Sequence, residues 1–392
     1  MTVGLIGHYL GAKMGIGVFI DRLLEPLMDE MTQQGLEVKV ICSPNALAQT
    51  PAIQRVRARS PHQVSVLPAL DYSPIKRFGW IATQFDDYCQ QEGIDQVVWL
   101  SNPMVLPWHP PSIAVLHDVN EWKAKEKYGS WIKTTMRAWM YLEASILWAK
   151  KIVCVSQATT DDLCHFKPNV RFKVSTIPNG LDSPLSSLTP AKIDAPDAPF
   201  LLSVGRIDPA GKRLPEAVEL VETLRSLSGA PWELHLAGGM NKSTQQAGEA
   251  FIESVAAVPW VHYHGYTEDE ALAAWYSHAT AVVFLSDNEG FGSPVAEAAA
   301  FGRRVIVNAN NKATLGAGGE AVIPVNPQDA KRAAAQVLDE LKGTHLSQIG
   351  GVSVAGGAVA TKTVAAPPKI YTYADAAVSY ASEIHQLAES AI

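Results

Sequence analysis

Cysteine is scarce in this chain, and its four cysteines (Cys42, Cys89, Cys154 and Cys164) are scattered, with no CxxC pair and no His cluster beside them. That excludes a disulfide framework or a Cys/His zinc module, and reads instead as small apolar residues in a reducing compartment. No run of 18 apolar residues occurs, so no membrane-spanning helix is expected. Basic residues are outnumbered, 32 Lys and Arg against 39 Asp and Glu for a net charge of −7, which argues against a nucleic-acid partner. No GxGxxG opens the first helix and no acid ends a strand near Val38–Cys42, so a nicotinamide-dependent oxidoreductase is disfavoured. No Asp-x-Asp motif sits at a strand end, and no obligatory metal or other cofactor is expected. The opening Met1-Thr-Val-Gly-Leu-Ile-Gly-His8 lacks the charged and long apolar regions of a signal peptide, pointing to the cytoplasm. What is present is 392 residues, 47% hydrophobic and 18% charged, enough for two globular domains.

The apolar runs alternate in length. Val3–Ile6, Val38–Cys42, Val64–Leu67, Val97–Leu100, Ile113–Leu116 and Ile152–Val155 read as strands. Ile16–Met31, Ile75–Gln91 and Trp131–Trp148 between them have helical spacing. Short, nearly all-apolar strands separated by helices predict a parallel sheet covered on both faces. A Pro/Ala/Asp/Ser-rich stretch, Ser183–Pro199, precedes a second series. There Phe200–Val204, Trp232–Ala237, Ala281–Leu285 and Val305–Val307 read as strands, and Leu214–Leu227, Asp269–Ala279, Val295–Phe301 and Ala330–Leu341 as helices. The expected organisation is α/β: two Rossmann-like, doubly wound domains, residues 1–185 and 199–370, joined by a linker at 186–198 and facing across a cleft, with an amphipathic helix in 371–392. Residues 347–368, rich in Gly and Ala and poor in charge, receive no functional reading.

The most telling stretch is Phe284-Leu-Ser-Asp-Asn-Glu-Gly-Phe-Gly-Ser-Pro-Val-Ala-Glu297. A strand breaks into a polar Gly-rich turn, and a helix is expected to start with Ser293 as N-cap and Pro294 at N1 and to stop at Gly302. Free N–H groups and the helix dipole make such a start an anion site. Glu289 and Glu297 flank it, which is electrostatically unfavourable unless they bind hydroxyls. Phosphate together with hydroxyls points to a nucleotide sugar.

This Glu-x7-Glu frame closely resembles the signature of retaining glycosyltransferases of family 4, which have the GT-B fold. Further segments match in order. Ser203-Val-Gly-Arg-Ile-Asp-Pro-Ala-Gly-Lys-Arg213 resembles the segment in which Arg206 and Lys212 would hold the donor diphosphate; Arg213 beside Lys212 leaves the register open. Fixed cations there would stabilise the charge that grows on the leaving nucleotide. Ala114-Val-Leu-His117-Asp118 ends a strand, and the resemblance gives His117 a contact with the donor sugar and reacting centre, with Asp118 in an orienting role. Gly11-Ala-Lys-Met-Gly-Ile-Gly17 is a partial Gly-rich turn, of which Gly15 and Gly17 carry over as donor-side positions. Val155–Leu163 reads as a strand followed by a helix cap at Ser156. Ile177-Pro-Asn-Gly-Leu-Asp182 puts Asn179 in a turn, and His264-Gly-Tyr-Thr267 offers Tyr266 to a nucleobase or to packing.

What the resemblance implies is a retaining, metal-independent hexosyl transfer to a glycan or lipid-linked acceptor in bacterial surface polysaccharide or lipopolysaccharide synthesis. His117, Arg206, Lys212 and Glu289 would be catalytic, while Phe291, Gly292, Ser293 and Glu297 would bind the donor. A C-terminal helix crossing back to the first lobe is implied in the same way. Residues 121–151 hold seven Lys or Arg against three Glu, with Trp122, Trp131, Trp139 and Trp148 interleaved. They read either as a peripheral contact with the inner face of the plasma membrane or as a packed helix with a solvated face. Two alternatives remain open: a GT-B sugar-nucleotide epimerase, and a non-catalytic nucleotide-sugar-binding protein.

Overall fold

A computed structural model describes residues 1–7, 15–101, 103–123, 135, 138–180, 185, 188–241, 244–342 and 371–389. The chain forms two compact units, Met1–Gly180 with Tyr371–Ile392 and Leu181–Ile370.

The first unit is built on seven parallel strands: β1 (Thr2–Gly7), β2 (Glu37–Cys42), β3 (Val64–Val66), β4 (Gln96–Ser101), β5 (Ser112–Leu116), β6 (Lys151–Cys154) and β7 (Val174–Thr176). Their order is β3-β2-β1-β4-β5-β6-β7, which reverses direction between β1 and β4. Central β4 and β5 are buried along their whole length, as a strand covered on both faces must be, so their apolar run is continuous rather than alternating. Ile6, Val97, Ala114 and Ile152 share one core with Phe85 and Leu163 from the flanking helices. Ser156 caps the helix Gln157–Phe166 by accepting the Thr159 N–H at 3.1 Å. Cys42, Cys89 and Cys154 are buried; burial pushes the Cys42 thiol up to about 11 and those of Cys89 and Cys154 to about 12. They are apolar packing groups at neutral pH.

The helix Tyr373–Glu389 belongs to this unit, burying Tyr373, Ala376, Ala377, Tyr380, Ala381 and Ile384. Tyr373 packs near Phe19, with ring centroids 6.1 Å apart. Glu383 accepts from Lys151 Nζ at 2.9 Å and from the Ser175 hydroxyl at 2.5 Å. A Cβ on Gly180 would lie 2.3 Å from the Tyr373 nitrogen, so only glycine admits this approach.

The second unit has six parallel strands: β8 (Phe200–Val204), β9 (Glu233–Ala237), β10 (Val261–Tyr263), β11 (Ala281–Phe284), β12 (Val305–Asn308) and β13 (Val322–Val325), in the order β10-β9-β8-β11-β12-β13. That is the doubly wound dinucleotide-fold order, with its switch point between β8 and β11. Of the expected linker, Leu188 and Ile193 pack beside buried Leu185 on this unit's core, and the Ala191 N–H donates to the Glu270 carbonyl at 3.0 Å.

Strands β7, β10 and β13 were not expected from the sequence. β7 and β10 are three-residue edge strands, and β13 carries Pro324, so none presents a long apolar run. Residues 124–134, 136 and 137 and all of 347–368 lie outside the described residues, so the aromatic, basic island is seen only in part. There Trp122 and Trp148 pack against the core, Lys123 pairs with Asp162, and Trp139 is 46% exposed. No helix among the described residues is long and apolar enough to cross a membrane.

Candidate functional site

In an open parallel sheet, the loops leaving the two strands at the switch point splay apart and leave a crevice at the carboxyl ends. In the second unit these are the loops after β8 and β11. The β8 loop is fixed by backbone: Gly205 N–H donates to the Ala237 carbonyl and Ile207 N–H to that of Gly239, both at 2.9 Å. Gly205 has φ 133°, and a Cβ on Gly238 would meet the Gly205 oxygen at 1.8 Å, so both glycines are needed for the two loops to touch. Asp208 then closes the turn by accepting the Gly211 N–H at 3.1 Å. The Arg206 guanidinium lies 3.5 Å from Asp208 Oδ2 and is one-third exposed at its side chain, 33%.

Lys212 and Arg213 part company at this point. Lys212 ion-pairs with Glu289 of the β11 loop and sits 4.4 Å from the Phe284 ring centroid. Arg213, with a left-handed backbone at φ 51°, pairs with Asp287 and Glu216, both at 2.6 Å. Those hydrogen bonds, Asp287's first, raise its pKa further. Glu289 Oε1 also accepts from the Ser286 hydroxyl at 2.6 Å. Ser286 in turn is held near the Gly211 carbonyl at 3.1 Å and by Asn311, whose amide donates to the Ser286 carbonyl at 2.8 Å. The two loops are thus joined by charge at two places, Lys212–Glu289 and Arg213–Asp287.

The helix after this turn runs Ser293–Ala300, and its cap corrects the sequence expectation. Gly292, at φ 96° and ψ 52°, is the N-cap; Ser293 is the first helical residue and its side chain makes no cap bond. The chain enters the helix from a left-handed conformation that glycine alone adopts freely, and Thr314 Cγ2 would stand 3.1 Å from a Cβ there. Phe291 packs against the adjoining core. Gly302 takes the expected αL position at φ 68°. Glu297, one turn into the helix, accepts from the buried Tyr276 hydroxyl at 3.1 Å. Tyr266, after β10, is 48% exposed and stands beside Gly239.

In the first unit, His117 leaves β5 with its imidazole Nε2 2.8 Å from the Leu100 carbonyl oxygen. A carbonyl only accepts, so Nε2 carries the proton and Nδ1 the lone pair. The ring meets Phe19 edge-on at 5.0 Å, and burial pushes its pKa down to about 4. It is a neutral imidazole at physiological pH. Asp118 accepts the Asn120 N–H at 2.9 Å and so shapes the turn that follows. Gly15, at φ 58°, caps the helix Ile16–Gln33, in which Gly17 is buried; residues 8–14 lie outside the described residues. Asn179 is buried with no hydrogen-bond partner for Oδ1 among the described residues.

Two family models divide the chain between them. Residues 20–183 match the one described as Glycosyltransferase Family 4, and residues 189–346 the one described as Glycosyl transferases group 1. The chain is a glycosyltransferase of the GT-B fold. Sucrose-phosphate synthase from Thermosynechococcus elongatus is 18% identical with a TM-score of 0.64, covering 99% of this chain and 98% of that one. An Anabaena protein, HepE, solved with UDP and glucose, is 13% identical (TM-score 0.59; 99% and 98% covered). WaaG, a glycosyltransferase of lipopolysaccharide biosynthesis, is 15% identical (TM-score 0.60; 100% and 98% covered). At such identities the likeness is one of fold alone. No curated protein matches by sequence.

Of the residues singled out from the sequence, the glycosyltransferase brings Arg206, Lys212 and Glu289 onto adjoining loops and puts Gly292, Ser293 and Glu297 on the helix that follows. His117, Asp118, Gly15 and Gly17 belong to the first unit. Sequence reasoning passed over Asp208, Ser286, Asp287 and Tyr276, which hold those groups in place. Ser286 and Asp287 stand in the same polar turn as Glu289 and were open to notice; Tyr276 carried no signal beyond its place on an apolar helix.

Proposed function

We propose that this glycosyltransferase is a retaining enzyme that moves a sugar from a nucleoside-diphosphate donor to a hydroxyl of a glycan or lipid-linked acceptor, without an obligatory metal. The observation that carries the reading is the Lys212–Glu289–Ser286 junction at the switch point of the second unit, with Arg206 on the same loop. Without donor, Lys212 and Glu289 neutralise one another. An arriving diphosphate competes for Lys212 and Arg206, and Glu289 is released to accept from sugar hydroxyls. Glu297 accepts from the ribose hydroxyls, held by Tyr276. The N–H groups around Phe291, Gly292 and Ser293 take the phosphate–sugar junction, and Tyr266 stands beside the base.

As the glycosidic bond breaks, charge grows on the leaving phosphate, and preorganised cations there act on the transition state more than on the ground state. His117 Nδ1 accepts a hydrogen bond from a donor-sugar hydroxyl without taking its proton, and the acceptor binds at the first unit by Gly15 and Gly17. With no carboxylate nucleophile assigned, the leaving oxygen itself takes the acceptor proton on the same face, which retains configuration.

A lipid-linked acceptor in surface polysaccharide or lipopolysaccharide assembly would bring the protein to the inner face of the plasma membrane, with residues 121–151 as the contacting surface. Vesicle sedimentation tests this last point. The donor site is tested by thermal shift with UDP, GDP and ADP and their sugar conjugates, alongside Arg206→Ala and Glu297→Ala. One nucleotide at a hundred times its dissociation constant should add about 2.7 kcal/mol to the wild type and less to both variants. No shift with any nucleotide would remove the donor assignment. Product NMR then reads the anomeric configuration, and turnover of the donor with no acceptor would favour an epimerase.

A further inference from the structure

β9 opens Glu233-Leu-His235, and β10 contains His262 and leads directly to His264. Side chains alternate along a strand, so Glu233 and His235 share a face of β9, as His262 and His264 share one of the β10 segment. The parallel register sets His262 opposite His235. Four side chains with ligand chemistry therefore gather on the sheet face that also carries Phe200 and that Trp275 of the helix Asp269–His278 packs against; the Phe200 and Trp275 rings lie 4.7 and 4.9 Å from that of His235.

Three of their atoms converge. Glu233 Oε2 is 3.0 Å from His235 Nε2 and 3.3 Å from His262 Nε2, and all three lie within 4.8 Å of one another. A tetrahedral zinc ion with bonds of about 2.0–2.1 Å sets its ligands about 3.3 Å apart, so these atoms already stand near coordination spacing. His262 Nε2 is buried, and its approach to Oε2 falls outside hydrogen-bond geometry, leaving it with no partner among the described residues. Behind this set, His235 Nδ1 lies 2.9 Å from His264 Nε2. An outer hydrogen bond of that kind fixes the tautomer and orientation of a metal-bound imidazole. Tilted packing against Phe200 and Trp275 accounts for where the rings sit. It does not require nitrogens from two strands to approach one carboxylate oxygen.

We propose that Glu233, His235 and His262 form a binding site for zinc or a similar first-row divalent cation in the second unit, with His264 as the outer partner of His235. Two imidazoles and one carboxylate suit such ions, whereas magnesium and calcium take oxygen ligands. Three protein ligands leave a fourth position for water or a small ligand. The ligand residues border a cavity of about 480 Å³ that Lys192 and Asp194 also line. The ion would tie the short edge strand β10 to β9. None of these residues takes part in the proposed transfer chemistry, so the site goes beyond that reading and does not depend on it.

The test uses the untagged chain, stripped with chelator and titrated with Zn²⁺ by calorimetry and with Co²⁺ by visible absorption. One ion per chain is expected, with Co²⁺ bands of tetrahedral intensity. His264→Ala should weaken binding about 10–100-fold, and His262→Ala and Glu233→Gln by more than about a hundredfold. Thermal unfolding in chelator checks that each variant folds. X-ray absorption at the zinc edge of the wild type reads the ligands without any substitution: a shell of nitrogen and oxygen containing two imidazoles is expected. Absence of saturable one-to-one binding, retention of affinity in both ligand variants, or a shell containing cysteine sulfur would overturn the proposal.

Discussion

The end of β5 in the first unit and the ends of β8 and β11 in the second hold different kinds of polar group. In the second, the β8 and β11 loops set Arg206, Lys212 and Arg213 against Asp208, Asp287 and Glu289. In the first, β5 ends in one neutral imidazole, bonded to a backbone carbonyl and covered by Phe19. A balanced set of charges can re-pair when an anion arrives, because each cation exchanges one anionic partner for another. A half-buried neutral ring has no such exchange to make; it can only offer a fixed acceptor atom. The contrast suits the proposed division, in which the second unit holds a charged donor and the first handles an uncharged hydroxyl.

The largest break in this comparison should come from Lys212→Ala. Removing one preorganised donor from a developing anion costs about 10²–10³ in turnover, so steady-state assays with the matched donor should fall by that factor while circular dichroism is unchanged. A loss under tenfold would mean that Lys212 only braces Glu289.

The second prediction concerns the neutral side. His117 has its pKa lowered from 6.5 to about 4 by burial. Between those values the unfolded chain binds a proton that the folded chain does not, so stability rises with pH across that window and is lost on acidification. The full effect is roughly 3 kcal/mol, and His117→Gln should flatten the slope of stability between pH 6.5 and 4 in urea titrations. An unchanged slope would place the acid sensitivity elsewhere.

Gly292→Ala sharpens the comparison from the backbone side. It forces a side chain into a left-handed conformation and against Thr314, at about 1–3 kcal/mol, and should lower both the melting temperature and nucleotide binding. The smallest effect is expected from Glu383→Ala, which strips Lys151 and Ser175 of a partly buried partner. About 1 kcal/mol should be lost, read as a small drop in the urea midpoint with donor affinity intact.

Much of this was legible in the sequence because the central strands are buried on both faces and spell continuous apolar runs, as β4 and β5 do. Ser156 and Gly302 announced a cap and a stop by chemistry that acts within one turn. The Ser293 reading failed because a serine before proline fits a cap motif equally well, and the positive φ of Gly292 is imposed by how the loop reaches the helix from β11. Nor could spacing decide between Lys212 and Arg213; the choice depends on which acid of another loop, Glu289 or Asp287, each one meets. The histidines of β9 and β10 went unnoticed for a related reason. They are 27 residues apart, from His235 to His262, and only strand register makes them neighbours.

The helix Tyr373–Glu389 folds into the unit that begins at Met1, so the whole of Leu181–Ile370 is inserted between two parts of one unit. On the ribosome, the inserted unit is complete before that helix has been made. The first unit to be synthesised is therefore the last to close, and until then the surface that takes Tyr373, Tyr380 and Ile384 stays uncovered. Domains usually fold as units from the N-terminus onward during synthesis; here that order is inverted. A truncation before residue 373 should accordingly leave the second unit able to fold while the first aggregates, and limited proteolysis of such a fragment should yield protected peptides from 181–370 alone.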